Sequence, residues 1–361
     1  MTRPINFCSG PAALPEPVLH RMQAELLDFQ RSGISVMEHS HRDHRIVELF
    51  SETEIRLKRL LGLGDAYRVL FLPGGATLQF SQVPMNLLSP NRPAAYVTSG
   101  TWSEKAIKAA SQYGPVIEAA TSRDSKFTKI PDLQTWVIPE DAQYVHLCTN
   151  ETIQGVEWFG SLADVAAPVV ADMSSHILSR AMPMHEFDLV YAGAQKNLGT
   201  SGVTLVILKT ELLERAQSDG VPGLLQYRQQ IENDSMVNTP PVLSVWVLAL
   251  VLDWLESMGG VPWVEAQNRV KAQALYHAID HSGLYRSPVA IENRSLMNVP
   301  FVLQDASLDA RFLARAESAG LMNLKGHRSV GGMRASIYNA ISEHDVAVLI
   351  DFMREFERTS G

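Results

Sequence analysis

A lysine close to the end of an apolar segment is the residue of this chain best placed to do chemistry. Lys196 lies in the segment FDLVYAGAQKNLG (187–199), among the small residues Gly193, Ala194 and Gly199. Small neighbours leave room for an amine to reach into a cleft, and burial lowers the pKa of a lysine and favours its use as a nucleophile. The alternative is an ordinary solvated lysine, and the accompanying motifs decide between the two.

Two motifs upstream give Lys196 a chemical context. Asp172 ends the apolar segment PVVAD, and Gly74 and Gly75 lie between a predicted strand and a predicted helix. An aspartate at a strand end either caps a turn or pairs with the pyridinium nitrogen of pyridoxal 5′-phosphate (PLP). A glycine-rich turn before a helix exposes backbone N–H groups that bind phosphate. Together with a lysine, this order of motifs indicates a PLP site.

Short apolar segments that alternate with helices must position these motifs. Strands are predicted at 68–72, 95–98, 115–119, 144–148, 169–172, 189–192 and 203–208. Helical spacing of apolar residues runs from Val18 to Phe29 and ends at Gly33, and a second helix is predicted at 45–61. Buried strands between helices predict an α/β fold with a mainly parallel sheet, in which ligands bind beyond the carboxyl ends of the strands.

The last hundred residues differ from the rest of the chain in their pattern of predicted helices and strands. Helices are predicted at 261–281, 308–319 and 343–357, with a strand at 298–303 and a glycine-rich segment between them. Ser342 and Asp345 have the spacing of a capping box at the start of the last helix. We predict a large domain over residues 16–264 and a smaller α+β domain formed by residues 1–15 and 265–361.

Composition excludes several classes of protein. The 361 residues are 46% hydrophobic and carry a formal charge of −8, which argues against a nucleic-acid partner. The most apolar stretch, 242–252, is shorter than the roughly 20 residues that span a bilayer, so no membrane partner is predicted. With only Cys8 and Cys148, at most one disulfide can form. A soluble cytoplasmic protein is expected.

A histidine-rich segment raises the question of a metal site. His39, His41 and His44 are close in sequence, but Arg42 and Arg45 lie among them and would repel a cation. We therefore favour an anion-binding pocket and predict no metal.

Six separated motifs carry a family resemblance that extends over nearly the whole chain. They are SGPA (9–12), SVMEHSHR (35–42), NETIQG (150–155), YAGAQKN (191–197), NTPP (238–241) and GHRSVGGMRASIYN (326–339). With them the chain resembles the phosphoserine aminotransferases, PLP-dependent enzymes of the class V aminotransferase group. This resemblance implies fold type I, the aspartate-aminotransferase-like fold, with a large α/β domain and a smaller α+β domain.

The resemblance also implies how the cofactor would be held. Lys196 would bind PLP as a Schiff base and move the proton at the substrate Cα. The remaining cofactor-binding positions are Asp172 at the ring nitrogen, Trp102 stacked on the ring, Thr152 at the ring hydroxyl, Ala76, Thr77 and Gln195 at the phosphate, and Asn238 and Thr239 from a neighbouring subunit of a homodimer. Trp102 could instead be a core residue, and Thr239 could cap a helix that starts at Pro240.

Substrate anions have their own matching positions. The resemblance assigns the substrate phosphate to His41, Arg42, His327 and Arg328, and the α-carboxylate to Arg334 with Ser9 nearby. Arginine suits both anions because its planar guanidinium binds two oxygens at once. Thr77 stands where bacterial relatives often carry an arginine that helps to hold the substrate phosphate. This difference predicts weaker binding of the substrate phosphate or a different partition among its contacts, without loss of activity.

The implied reaction moves an amino group between glutamate and 3-phosphohydroxypyruvate, giving O-phosphoserine and 2-oxoglutarate for serine biosynthesis. A second implied reaction forms 4-phosphohydroxythreonine in pyridoxine biosynthesis. The alternative is another class V enzyme, such as an alanine–glyoxylate aminotransferase, which has no use for the pairs His41–Arg42 and His327–Arg328.

Overall fold

The computed structural model describes residues 3–215 and 219–360. Its strands are β1 (Ile5–Asn6), β2 (Tyr67–Leu72), β3 (Ala94–Thr98), β4 (Val116–Thr121), β5 (Val145–Cys148), β6 (Asn150–Glu151), β7 (Val156–Glu157), β8 (Val169–Asp172), β9 (Leu189–Gly193), β10 (Thr204–Lys209), β11 (Tyr285–Arg286), β12 (Asn298–Leu303), β13 (Leu321–Met322) and β14 (Met333–Ser336). Its α-helices are α1 (Glu16–Glu25), α2 (His44–Leu61), α3 (Gly75–Leu87), α4 (Thr101–Ala110), α5 (Tyr227–Glu232), α6 (Val242–Ser257), α7 (Gly260–Asp280), α8 (Asp309–Ser318) and α9 (Glu343–Ser360).

Seven strands form the central sheet, in the order β2-β10-β9-β8-β5-β3-β4. The pairs from β9 to β4 are parallel, whereas β10 runs antiparallel to β2 and β9. The predicted mainly parallel sheet is therefore confirmed. Asp172 pairs with Tyr191 across β8 and β9, so the carboxyl ends of these strands bring Asp172 close to the turn that carries Lys196.

Alternate residues of each strand face opposite sides of this sheet, and helices cover both sides. In β2, Val69 and Phe71 pack in the cluster that includes Leu49 of α2. Leu70 of the same strand packs on the other side, with Phe80 of α3. Two-residue alternation between buried clusters explains why the strand is apolar from Val69 to Leu72.

A separate apolar cluster fills the C-terminal part of the chain. It contains Phe7 and residues from Ala272 to Phe356, around the three-stranded sheet β11-β12-β14. The N-terminal segment joins this layer because β1 pairs in parallel with β13. The predicted domain boundary at 264/265 lies within the continuous helix α7, and the domain division stays a prediction.

The first helix is shorter than its apolar spacing predicts. α1 ends at Glu25, and Phe29–Arg31 forms a 3₁₀ turn, so the expected continuation to Gly33 is wrong. The Asp28 carboxylate accepts a hydrogen bond from the Gly33 N–H at 2.7 Å, which turns the chain there. Phe29 is nevertheless buried, as its apolar spacing predicts, but it enters the core from this 3₁₀ turn and not from a continued α-helix.

The predicted capping box of α9 is confirmed. Ser342 Oγ accepts from the Asp345 N–H at 3.1 Å, and the Asp345 carboxylate accepts from the Ser342 N–H at 2.8 Å. These reciprocal bonds satisfy backbone donors that the helix start leaves free.

Among the described residues, no single helix is long and apolar enough to cross a membrane. One pair, α6 with α7, reaches the required length and composition together, but the two helices meet at an angle of 82°.

Candidate active site

Lys196 lies in the turn after β9, at the carboxyl edge of the sheet. Its side chain is partly buried, and Nζ donates a hydrogen bond to Thr152 Oγ1 at 2.6 Å. Burial lowers the pKa of this lysine, while the carboxylates of Asp172 and Glu151 act in the opposite direction. A lowered pKa favours the neutral amine that a nucleophilic lysine requires.

Asp172 ends the neighbouring strand β8 and is held in one orientation. Its Oδ1 accepts from the backbone N–H of Ser174 at 2.9 Å and from its hydroxyl at 2.6 Å. Ser174 Oγ in turn accepts from the Gly193 N–H at 3.1 Å, which ties the ends of β8 and β9 together. Burial raises the pKa of Asp172, and the nearby Lys196 lowers it. Within the described chain, Oδ2 has no hydrogen-bond partner and is free to contact a ligand.

Trp102 lies against the lysine from the first turn of α4. Lys196 Nζ is 5.5 Å from the centre of its ring, and the indole Nε1 is buried without a partner in the described residues. The Glu151 carboxylate accepts from the Trp102 N–H at 3.0 Å and the Ser103 N–H at 2.8 Å. A carboxylate at a helix N-terminus satisfies free N–H groups and thereby fixes the position of the indole.

Arg334 and Ser9 lie on a further side of the site around Lys196, after Asp172 and Trp102. Arg334 Nη2 donates to Ser9 Oγ at 2.6 Å, and Nη1 lies 3.4 Å from the backbone oxygen of Thr152. Arg334 Nε is buried and unpartnered among the described residues, and burial lowers the pKa of the guanidinium. One contact chain thus runs from Ser9 through Arg334 and Thr152 to Lys196.

The glycine-rich turn has the geometry that a phosphate site needs. Gly74 and Gly75 have positive φ angles of 99° and 72°, and α3 starts here without a side-chain cap. Ala76 is partly buried and Thr77 is exposed, so the first-turn N–H groups are accessible. Gln195 is partly buried beside Lys196, and its Oε1 lies so close to Gly193 that a Cβ there would meet it at 2.6 Å.

His327 and Arg328 lie in the loop that precedes β14. His327 Nδ1 contacts Ser329 Oγ at 2.7 Å, and Arg328 is exposed. The pKa of His327 is lowered by burial first and then by the positive charges of Arg334, Arg328 and Lys105. The charges of Arg334, Arg328 and Lys105 therefore all act on His327, which favours its neutral form.

Four predicted residues make no side-chain hydrogen bond or ion pair with this site inside the described chain. Arg42, Asn238 and Thr239 are exposed and His41 is partly buried. Within the two described ranges, 3–215 and 219–360, none of these four side chains has a hydrogen-bond or ion-pair partner. The suggestion that Thr239 caps a helix starting at Pro240 is wrong, because α6 starts at Val242 with no side-chain cap.

The neighbouring histidines point to structural rather than metal-binding use. His39 is packed between Ser32 Oγ at 2.9 Å and Asp43 Oδ2 at 3.3 Å, and His44 is largely exposed. In the part of the chain described, no group of three or more histidine, cysteine, aspartate or glutamate residues could hold a metal ion.

Two residues of the site were missed by sequence reasoning. Ser174 fixes Asp172, and Glu151 fixes Trp102. The only available signal for Ser174 is its position two residues after Asp172, which is typical of a local side-chain-to-backbone bond. Nothing in the sequence predicts that Glu151 is buried.

Comparisons with known proteins agree with this arrangement. The family model "Aminotransferase class-V" matches residues 5–349. The chain is 48% identical over 361 residues to the phosphoserine aminotransferase of Marinomonas sp. (strain MWYL1), with 100% of each chain covered. It superposes on the structure of the phosphoserine aminotransferase from Bacillus circulans subsp. alkalophilus with a TM-score of 0.98 at 44% identity, over 100% of both chains. A PLP-bound phosphoserine aminotransferase from Trichomonas vaginalis matches with a TM-score of 0.93 at 37% identity, over 98% of this chain and 100% of that one.

The chain therefore belongs to the class-V aminotransferase family and has its PLP-dependent fold. Within this family its full-length relatives are phosphoserine aminotransferases, which confirms the resemblance. An alanine–glyoxylate aminotransferase from Nostoc sp. matches with a TM-score of 0.76 at 15% identity, which shows a shared fold alone.

PLP is the cofactor of this aminotransferase family, and the pocket fits it. The free Oδ2 of Asp172 can accept from a pyridinium N–H, and the Lys196 amine has the lowered pKa that covalent attachment needs. Trp102 offers a ring face beside Lys196, and the Gly74–Gly75 turn offers N–H groups to a phosphate.

Proposed function

We propose that this protein transfers an amino group between glutamate and 3-phosphohydroxypyruvate, giving O-phosphoserine and 2-oxoglutarate. The observation that supports this substrate is a pair of guanidinium groups: Arg334 contacts Thr152, the partner of Lys196, and Arg328 lies in the loop before β14, where its charge acts on His327 together with that of Arg334. An amino acid with a second anionic group needs two separate anion-binding positions, and Arg334 and Arg328 would supply one each. The same chemistry would serve a phosphorylated hydroxythreonine.

We assign the proton transfer to Lys196. Its Nζ would remove the proton from the substrate Cα and return it when the reaction runs in the other direction, which requires the neutral amine. Thr152 orients this amine through the 2.6 Å hydrogen bond. Burial, which lowers the pKa of Lys196, keeps the amine ready to accept the proton.

We assign cofactor binding to the residues around Lys196. When bound, PLP supplies an electron-withdrawing ring that stabilises negative charge at the substrate Cα. Asp172 would hold its ring nitrogen, Trp102 its ring face and Thr152 its hydroxyl. The phosphate would be bound by the N–H groups of Ala76 and Thr77 and by the side chain of Gln195.

Arg334 and Ser9 would bind the substrate α-carboxylate, and His327 and Arg328 the distal phosphate. Arg334 is suited to a carboxylate because its guanidinium is already oriented by Ser9 and the Thr152 backbone. Its buried Nε lacks a partner in the described residues, so the bound anion would also reduce the cost of burying this charge.

The substrate proposal is tested by single half-reactions of the PLP-loaded protein, without an oxo acid. Glutamate, O-phosphoserine, alanine and serine are added separately, and the visible absorption of the bound cofactor is followed. We expect fast changes with O-phosphoserine and glutamate and slow ones with alanine and serine. A higher kcat/KM for alanine than for O-phosphoserine would contradict the proposal.

We also propose a homodimer in which a second copy supplies Asn238 and Thr239 to the phosphate of the cofactor. The same copy would supply His41 and Arg42 to the phosphate of the substrate. Support comes from their exposure and from the lack of partners for their side chains in the described chain. A cytoplasmic location is proposed with it, since Cys8 and Cys148 are both free.

Co-expression of two inactive variants tests this exchange. Lys196→Ala lacks the lysine, and the double variant Asn238→Ala/Thr239→Val lacks the exchanged side chains. Mixed dimers would contain one complete site, so about a quarter of wild-type activity should return. No gain over the separate variants would contradict exchange between subunits.

A further inference from the structure

A lysine that the sequence did not predict as a site residue is exposed beside Trp102. Lys105 is on α4, three residues after Trp102, so both side chains lie on the same face of the helix. Its Nζ is 4.4 Å from the centre of the Trp102 ring, while Lys196 Nζ is 5.5 Å from the same centre. The indole is therefore contacted by the reactive lysine and by a second positive charge.

The ammonium group of Lys105 is not neutralised by its neighbours. Lys105 is exposed, and its side chain has no hydrogen-bond or ion-pair partner among the residues the structure describes. The adjacent Glu104 carboxylate is paired with Arg123 at 3.1 Å instead. The contact with the indole restricts a side chain that would otherwise be free in solvent, so less entropy is lost when it binds an anion.

Lys105 also belongs electrostatically to the substrate side of the pocket. Its charge lowers the pKa of His327, as do the charges of Arg334 and Arg328. His327 is far from Lys105 in the sequence, so the fold brings α4 within electrostatic range of the loop before β14. A lysine here adds a third positive charge to those of Arg334 and Arg328 that act on His327.

We propose that Lys105 binds the distal anionic group of the substrate, with a dianionic phosphate as its preferred ligand. This inference rests on the proposed function and adds a residue that determines specificity within it. The phosphate of O-phosphoserine gains most from the contact, the single charge of the glutamate γ-carboxylate gains less, and alanine has no group to bind.

The test replaces Lys105 by Met, which keeps the length of the side chain and removes its charge. Lys108→Met is the matched control, because Lys108 is an exposed lysine one turn further along α4. Half-reaction kinetics of both PLP-loaded variants are measured with O-phosphoserine, glutamate and alanine. Binding of PLP to the cofactor-free proteins is measured by quenching of tryptophan fluorescence.

We expect Lys105→Met to raise KM for O-phosphoserine about tenfold and that for glutamate two- to threefold, with alanine unchanged. Added salt should raise KM for O-phosphoserine less in this variant than in the wild type. Equal kinetics in the two variants would overturn the proposal, and so would weaker PLP binding with unchanged discrimination, which would assign Lys105 to the cofactor phosphate. If the wild type itself fails to prefer O-phosphoserine to alanine, the proposed function fails instead.

Discussion

Glu151 is a carboxylate with almost no exposed surface, and it accepts hydrogen bonds from the first N–H groups of α4. Burial raises its pKa to about 7, and the hydrogen bonds from Ser103 and Trp102 act in the opposite direction. Burial of this carboxylate therefore costs folding free energy, whereas its hydrogen bonds fix the position of Trp102, whose ring faces Lys196.

Glu151→Gln should change how stability depends on pH. The pKa of Glu151 in the folded protein, about 7, lies above its ordinary value of 4.5. Between these pH values the folded protein keeps a proton that the unfolded chain has released, so the contribution of this group falls as pH rises. In urea unfolding from pH 5 to 8, the stability of the wild type relative to that of Glu151→Gln should fall by about 1–3 kcal/mol, because titrations of other groups are common to both proteins and cancel in the difference.

The control for this prediction is Glu52→Gln, because Glu52 is exposed on α2. Its curve should follow that of the wild type. If the Glu151→Gln curve also runs parallel to the wild type over the whole range, the buried carboxylate does not titrate as described.

Individual residues differ in how well the sequence predicts them. The pairing of Asp172 with the Lys196 turn was predictable, because both follow apolar strands and parallel strands end at one edge of the sheet. Glu151 was not, because glutamates are seldom fully buried and its hydrogen bonds go to a helix 48 residues away.

At the scale of elements, the approach of α4 to strand β6, which carries Glu151, determines where Trp102 lies. Gly100, just before the helix, makes this approach possible: a Cβ there would lie 2.5 Å from Glu151 Cδ and 2.7 Å from Gln154 Oε1. Both atoms belong to side chains that are held by hydrogen bonds, so they cannot yield easily.

Gly100→Ala should therefore lower the free energy of unfolding by about 1–3 kcal/mol and weaken PLP binding through displacement of Trp102. Urea unfolding and a PLP titration followed by tryptophan fluorescence measure the two effects. Gly64→Ala is the control, since no atom lies within 4 Å of a Cβ built at Gly64. Indistinguishable behaviour of the two variants would show that α4 tolerates the added methyl group.

The longer elements were largely predictable, whereas the short elements β1, β6, β7, β11, β13, β14 and α5 were not predicted. Two further differences have physical reasons. Strand β8 has the predicted bounds because an apolar run between polar residues fits a buried strand. The antiparallel direction of β10 was not predictable, since a strand buried on both faces is apolar in either direction. The early end of α1 depends on the bond from Gly33 to Asp28, which apolar spacing does not report.

At the scale of the whole molecule, α7 connects the two apolar regions, with Val264 in one cluster and Ala272 in the other. Lys271 of this helix is buried, and its Nζ donates to the backbone oxygens of Ile337, Tyr338 and Ile341 at 3.1, 3.0 and 2.7 Å. It thereby fixes the segment after β14.

This segment leads directly to the active site. The Asn339 N–H donates to Asn197 Oδ1 at 3.1 Å, and Asn197 is the residue after Lys196. The C-terminal layer therefore supports the turn that carries the reactive amine.

Lys271→Met should remove a pH dependence of the opposite sign. Burial lowers the pKa of Lys271 to about 7 from its ordinary value of 10.5. Between these values the unfolded chain binds the extra proton, so this group makes the folded protein more stable as pH rises. Urea unfolding at pH 7 and 9.5 should show this rise in the wild type and in the exposed-residue control Lys129→Met.

The Lys271→Met variant should lack the rise and be less stable by about 2–4 kcal/mol, because three carbonyl groups lose their donor. A rise equal to that of the control would contradict the account.

The net charge of −8 is an average over the whole molecule and does not describe the charge near the active site. Sequence composition argued against a polyanionic partner, yet Lys105, Arg328 and Arg334 act together on His327 in one small region. An average over the chain does not report this local surface, because its members come from distant segments that only the fold brings together.

The most direct test of the account is to locate the covalent bond between the cofactor and the protein. The PLP-loaded protein is reduced with borohydride, digested and examined by mass spectrometry, with and without prior incubation with O-phosphoserine or alanine. We predict that the cofactor is fixed to the peptide containing Lys196, that O-phosphoserine abolishes this labelling because amino transfer releases the lysine, and that alanine leaves it. Labelling of a different lysine, or labelling that survives O-phosphoserine and is lost with alanine, would contradict the account.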